Sequence, residues 1–364
     1  MTRNLILGSL CLALLAGCAT HHPVATSAPN APRSTVAVDA VIAEAWVSSA
    51  DAADELDSLA VWPTEDGHAW LIATGKSSHT LAVYDAESGH RLRSVGSRGD
   101  GPLQFNRPNG IAVFGDMLFV AERDNHRVQV LQLPDFTPLG MIGADRLRVP
   151  YGLWLRETGP DQLELFVTDS FMADFKTGTL PPMQELDQRI KRFDVRLTTD
   201  GKLESKYLGA FGDTTTEGAL RMVESIAGDS AHDRLLIAEE DRRVGSTLRD
   251  YTLDGMYRAR SLPLFDADAE GVALWACDAG EGYWIAVDQL KPTVFRVFDR
   301  TSLKPLKTFS GEVVANTDGQ VLYAVGLPRF PAGALFALHD DKAVAAFDLR
   351  DIAKALGLSD NCMQ

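Results

Sequence analysis

The sequence predicts an all-β chain closed into a six-bladed β-propeller. Three observations predict it: a set of strand-like runs recurs six times, turn residues separate the runs, and the only convincing helix is a short tail, Asp351 to Leu356. The 364 residues are 45% apolar and 23% charged, enough for one large all-β domain with an ample core.

The chain opens differently. Met1 to Gly17 carries one charge, Arg3, then an apolar run from Leu5 to Leu15, and ends in Leu15-Ala16-Gly17-Cys18. A short apolar segment closing on small residues is a signal peptide, too short to span a bilayer as a mature helix. Its ending resembles a bacterial lipobox. That resemblance implies residues 1–17 as leader, Cys18 as the lipid-bearing N-terminus, and, with Ala19 next, the outer membrane of the cell envelope. Residues 18–49, rich in Ala, Pro, Thr and Ser, read as a flexible tether, and 50–364 as the propeller.

Each repeat opens with a polar residue, a small residue and an apolar run. The openers are Asp57-Ser58, Asn109-Gly110, Tyr151-Gly152, Glu224-Ser225, Glu270-Gly271 and Asp318-Gly319. A second apolar run follows about 11 to 18 residues later, as in Leu71-Ile72-Ala73 and Phe119-Val120-Ala121. A third follows, as in Leu81 to Asp85 and Val294 to Asp299, with turns such as Glu65-Asp66-Gly67 between. Short strands in such groups describe propeller blades. Two sandwich domains would supply as many strands but not six matching openings. The third repeat is stretched by an insertion, Phe171 to Gln188, expected as a loop on one face. Trp62, Trp154, Trp275 and Trp284 fall in apolar runs and read as core.

The net charge of −15 becomes −16 once Arg3, the only charged residue of 1–17, is removed. This argues against nucleic acid as a partner and suits either simple solubility or the collection of divalent cations. Cys277 and Cys362 remain in an oxidising compartment, where pairing is open to them. The histidines are scattered, without zinc-like spacing. Gly96-Ser97-Arg98-Gly99-Asp100-Gly101 lacks the strand-to-helix context of a phosphate loop and reads as a turn.

In a propeller the innermost strand of every blade lines the central channel, so the openers meet at one mouth. Four of the six are carboxylates: Asp57, Glu224, Glu270 and Asp318. Asp268 stands one strand period before Glu270, Glu239 and Glu240 cap the fourth repeat's second run, and Gln289 follows the fifth's. Carboxylates packed together repel unless a cation sits between them. Oxygen donors without Cys or clustered His suit Ca²⁺. A single such residue more often caps a turn; four at equivalent positions point to a site.

These residues resemble the β-propeller phytases, calcium-dependent phosphohydrolases. The likeness is densest in Asp54 to Trp62, Leu236 to Asp241, Asp268-Ala269-Glu270-Gly271 and Gly326 to Gly357. The resemblance implies a calcium cluster on Asp57, Glu224, Glu239, Glu240, Asp268, Glu270, Gln289 and Asp318, and phosphate-binding groups at Lys76, Arg123 and Tyr151. Glu224, Asp268 and Glu270 would carry the catalysis, with Glu224 drawing a proton from the attacking water; Glu217 is a rival for the Glu224 position. It further implies a monomeric 3-phytase-type enzyme that releases phosphate from phytate or related esters and touches the membrane only through its lipid. The family's paired Asp and paired Lys are Asp57-Ser58 and Lys76-Ser77 here, and the Lys expected after the third repeat's second run is absent from Thr168-Asp169-Ser170-Phe171. Asn106 to Val128 also resembles NHL-type repeats, often binding surfaces, which implies the alternative of a calcium-stabilised, non-catalytic binding propeller. A lactonase-like propeller enzyme with a central Ca²⁺ is the third reading.

Overall fold

A computed structural model describes residues 32–260, 262–277 and 280–362. The leader, Cys18 and the tether as far as residue 31 lie outside the described residues.

Six blades are present. Blade 1 comprises Leu56–Pro63, Ala69–Gly75, Thr80–Asp85 and Arg91–Val95, joined in that order by antiparallel pairing. Blade 2 comprises Pro108–Phe114, Met117–Glu122, Arg127–Gln132 and Thr137–Ile142. Blade 3 comprises Pro150–Gly159, Gln162–Asp169, Ile190–Leu197 and Leu203–Phe211. Blade 4 has three strands among the described residues, Val223–Asp229, Arg234–Glu239 and Thr247–Tyr251. Blade 5 runs Ala269–Ala276, Gly282–Asp288, Val294–Asp299 and Pro305–Gly311. Blade 6 contributes Gln320–Tyr323, Ala334–His339 and Ala343–Asp348.

The strands form where the sequence alternates or sustains apolar residues, and the core they build lies between blades rather than within them. Trp62, Leu118 and Phe136 pack blade 1 against blade 2. Phe119, Leu165 and Phe193 join blades 2 and 3. Tyr84 and Phe336 join blades 1 and 6, so the ring is closed. Trp275 and Trp284 are fully buried, each removing an area worth several kcal/mol from water. Trp154 differs: it is half-buried and lines the central channel.

The propeller begins earlier than residue 50. Ala40–Ile42 pairs in parallel with the outer strand of blade 5, and Trp46–Val47 pairs antiparallel with Ala343–Asp348 as the outer strand of blade 6. The N-terminal segment thus completes the last blade and covers an edge that would otherwise be open. Composition assigned these residues to the tether. Backbone pairing and the burial of Ile42 and Trp46 place them in the fold instead.

The insertion of blade 3 forms the expected loop and ends in a 3-10 turn at Met183–Gln188. The glycine-rich turn leads into a two-residue parallel pair, Ser97–Arg98 with Gln104–Phe105, and no helix follows it. The tail helix spans Leu349–Leu356, with Asp348 accepting the Arg350 amide at its start and Gly357 at φ +65° at its end. Leu349, Ile352 and Leu356 bury its apolar face between blades 5 and 6. The pairing left open by the sequence is made: a Cys277–Cys362 disulfide ties the tail to blade 5.

Candidate functional site at the propeller mouth

The openers reach the mouth through one repeated device. In blades 1, 3, 4 and 5 the register between the first two strands shifts across the opener pair, between Leu56 and Leu59, Pro150 and Leu153, Val223 and Ile226, and Ala269 and Val272. Blade 2 shows the same irregularity opposite Asn109-Gly110. A bulge re-aims a side chain that regular pleating would hold along the sheet. The small residue after each opener is required by the next blade. A Cβ on Gly110 would lie 2.0 Å from the Tyr151 carbonyl oxygen, one on Gly152 2.4 Å from that of Glu224, and one on Gly319 2.4 Å from that of Asp57. The carbonyls of Tyr151, Glu224, Asp318 and Asp57 therefore seat on the glycine of the blade before them, which ties four of the six junctions of the ring. Below it a channel of about 560 Å³ is lined mainly by Gly, Ala, Val and Leu.

A second ring surrounds the first. The residue leaving the second strand of each blade is Lys76, Arg123, Ser170, Glu240, Gln289 or Asp340. The first five donate their amides to the carbonyls of Glu55, Arg107, Val149, Met222 and Asp268, each two residues ahead of its own blade's opener. Blades 1 and 2 thus supply cations to the rim, and blades 4 and 6 carboxylates.

The mouth divides into two halves. In one, ligand oxygens of Glu224, Glu240 and Glu270 lie within 4.8 Å of one another. Glu270 is only 7% exposed and Glu240 Oε1 is buried without a partner. Burial, with Asp57 and Asp318 adding repulsion, pushes the Glu224 carboxyl up to about 8. Burial raises Glu240 and Glu270 well above the ordinary range, with repulsion from Glu224 adding to the first and from Glu240 and Glu224 to the second. Asp268 borders this half, paired with Arg242 at 2.9 Å. Three clustered carboxylates, Glu270 buried and Glu224 and Glu240 half-buried, with no ion pair to any of them among the described residues, fit a hard divalent cation, which would return all three to the ionised form.

In the other half Lys76 supplies the positive charge. Its Nζ lies 2.8 Å from Asp318 Oδ2 and 3.1 Å from Asp57 Oδ1, with Glu55 at 4.0 Å. Burial works against that ammonium, yet Asp318, Asp57 and Asp341 hold its pKa well above the ordinary value. The Gln289 amide donates to Asp318 at 2.5 Å, and Asn109 Nδ2 donates to Asp57 at 3.2 Å.

Glu224, Glu240 and Glu270 are therefore brought together; Asp57, Gln289 and Asp318 share the mouth but surround Lys76. Glu239 stands apart from both groups. Its oxygens accept the Arg221, Met222 and Asp241 amides, which caps the loop leading into blade 4. Glu122, Asp169 and Asp288 hold the equivalent position and do the same for blades 2, 3 and 5. Glu217 is exposed, so the opener's place belongs to Glu224. Lys76 is turned inward onto carboxylates rather than outward. Arg123 forks onto Asp124 at 2.6 and 3.1 Å and lies beside Tyr151, whose hydroxyl is pushed up by burial and the nearby Glu224. Sequence reasoning missed Glu55 and Asp341. Asp341 sits in the turn after the second strand of blade 6 at φ +58°, and burial beside Asp318 pushes it up to about 7.

Residues 105–131, most of the first three strands of blade 2, match the NHL repeat. No curated protein sequence matches the chain significantly. Among solved structures, a chain of the nidogen/laminin complex is 16% identical, over 75% of this chain and 87% of that one, with a TM-score of 0.49. A Kuenenia stuttgartiensis hydrazine synthase chain is 10% identical, over 82% and 97%, with a TM-score of 0.48. A streptogramin B lyase is 13% identical, over 82% and 95%, with a TM-score of 0.44. The chain is a six-bladed propeller that carries an NHL-like repeat.

Proposed function

We propose that this propeller is a calcium-dependent phosphomonoesterase of the 3-phytase type, acting on a phosphorylated small molecule such as phytate. The observation that supports it best is the group of Glu224, Glu240 and Glu270 at the channel mouth, half-buried to buried and, among the described residues, without an ion-pair partner. These three would hold Ca²⁺, with Asp268 at the border. The ion would supply positive charge against phosphate oxygens and against the charge that develops during transfer.

The chain's own residues do the rest. Arg123, on the basic side of the rim, binds phosphate oxygens with a fork that a lysine cannot reproduce. Its release from Asp124, exposed at the rim, accompanies substrate entry. Tyr151 stays protonated and donates a hydrogen bond from its hydroxyl to a phosphate oxygen. Glu224 accepts a proton from the attacking water. A lipid on Cys18 would hold the domain at the cell envelope.

One observation favours a second reading. Lys76 and Arg123 are both engaged by carboxylates, as in a binding propeller that keeps a structural cation and performs no chemistry. Phosphate release from calcium-phytate and from simple phosphomonoesters, with and without chelator, separates the two. Release that requires calcium and is lost in Glu240→Gln/Glu270→Gln supports the enzyme. No release, with calcium still raising the Tm, leaves the binding propeller.

A further inference from the structure

The two halves of the mouth differ in how their charge is balanced. One presents three carboxylates and no cation. The other presents Asp57, Asp318 and, further out, Glu55 around a single ammonium 2.8 to 4.0 Å away. Lys76 is 8% exposed, so this ammonium is enclosed by its partners rather than solvated. Asn109, fully buried, donates to Asp57 yet leaves its Oδ1 without a partner. Gln289 gives its amide donor to Asp318. The half is therefore a nest of oxygen donors closed on a point charge.

We propose that Lys76 is a tethered cation standing where a second divalent ion would otherwise bind, so that the mouth takes one divalent cation and not two. This rests on the reading of the Glu224, Glu240 and Glu270 group as a cation site. The oxygens of Asp57 and Asp318 are hard donors that an ammonium and Ca²⁺ compete for. The ammonium has the advantage of being covalently attached, and its local concentration does not fall when the surroundings are depleted of calcium. The ion at the glutamates is exchangeable, whereas the charge at Asp57 and Asp318 is permanent. Lys76 thereby keeps the channel ring assembled in the absence of calcium, because Asp57 and Asp318 belong to adjacent blades 1 and 6 and would repel each other without it.

Calcium binding to the mature chain and to Lys76→Met, Glu240→Gln/Glu270→Gln and the triple variant, measured by calorimetric titration, tests this. The native chain is expected to lose one bound ion in Glu240→Gln/Glu270→Gln. Lys76→Met is expected to gain one ion over the native chain and to keep that gain in the triple variant. An unchanged count in Lys76→Met overturns the inference, even where the native site is present. A count that Glu240→Gln/Glu270→Gln leaves unaltered instead overturns the underlying cation site. Should Lys76→Met be unfolded without calcium, recovery of native circular dichroism on adding calcium supports the substitution of one cation for the other. Failure to recover, while Lys76→Met/Asp318→Asn folds, overturns it.

Discussion

Without a divalent cation, the protein is expected to lose stability as pH rises from about 4.5 to about 8, and calcium is expected to remove that loss. Glu224 carries a definite part, and Glu240 and Glu270 act in the same direction. The Glu224 carboxyl titrates near 8 in the fold against 4.5 for an ordinary glutamate, because of burial first and the Asp57 and Asp318 charges second. Between those values the folded chain retains a proton that the unfolded chain has released, so stability falls with rising pH. Above both, the cost from this one group is about 5 kcal/mol, at about 1.4 kcal/mol per tenfold change. In a domain of this size that corresponds to a Tm lower by roughly 10 °C. An ion held by Glu224, Glu240 and Glu270 reverses the effect, and calcium at ~1,000 times its Kd adds about 4 kcal/mol. The assay is thermal unfolding followed by circular dichroism between pH 5 and 9, in chelator and in excess calcium. Glu270→Gln should flatten the pH dependence in chelator, since it removes one of the repelling charges, and should also remove the response to calcium. A Tm in chelator that does not fall with pH, or calcium that leaves the alkaline Tm unchanged, refutes the reasoning.

Three further outcomes are expected. Gly110→Ala drives a methyl into the Tyr151 carbonyl and should cost about 1–3 kcal/mol, read as a lower denaturation midpoint, whereas Gly67→Ala, with open space around it and only φ +83° to offend, should cost about 1 kcal/mol. Cys277→Ser should lower stability by about 4 kcal/mol, because the disulfide closes a span of 85 residues, and reduction of the native chain should give the same loss. Arg123→Ala should weaken use of a phosphate ester by about 10- to 100-fold in kcat/KM, the worth of one charged hydrogen-bonding partner, with Arg123→Lys restoring only part.

Much of the architecture was legible because it is repetitive. Six openers, each followed by Gly or Ser, gave both the blade count and the ring, and the reason for the small residue is the neighbouring blade's carbonyl. The outermost strands at Ala40–Ile42 and Trp46–Val47 were not legible. They are two or three residues long and owe their form to pairing with strands some 270 to 300 positions away. The division of the mouth was equally hidden. Lys76 and Asp318 are separated by 242 positions, and nothing local to Lys76 says that it turns inward. The phytase resemblance sets Glu239 among the cation ligands, and the run Glu239-Glu240-Asp241 contains nothing that separates it from Glu240. Glu122, Asp169 and Asp288 separate it, since in blades 2, 3 and 5, as in blade 4, the last residue of the second strand caps the backbone ahead of its own opener. Only the residue after it, Glu240 in blade 4, reaches the mouth.

The cation itself is the most direct test. Crystals of the protein grown with terbium, a calcium mimic with strong anomalous scattering, would locate it. The expected result is one peak bounded by Glu224, Glu240 and Glu270, with Lys76 still paired to Asp57 and Asp318. No peak at those three glutamates, in crystals that bind the ion elsewhere, would contradict the account.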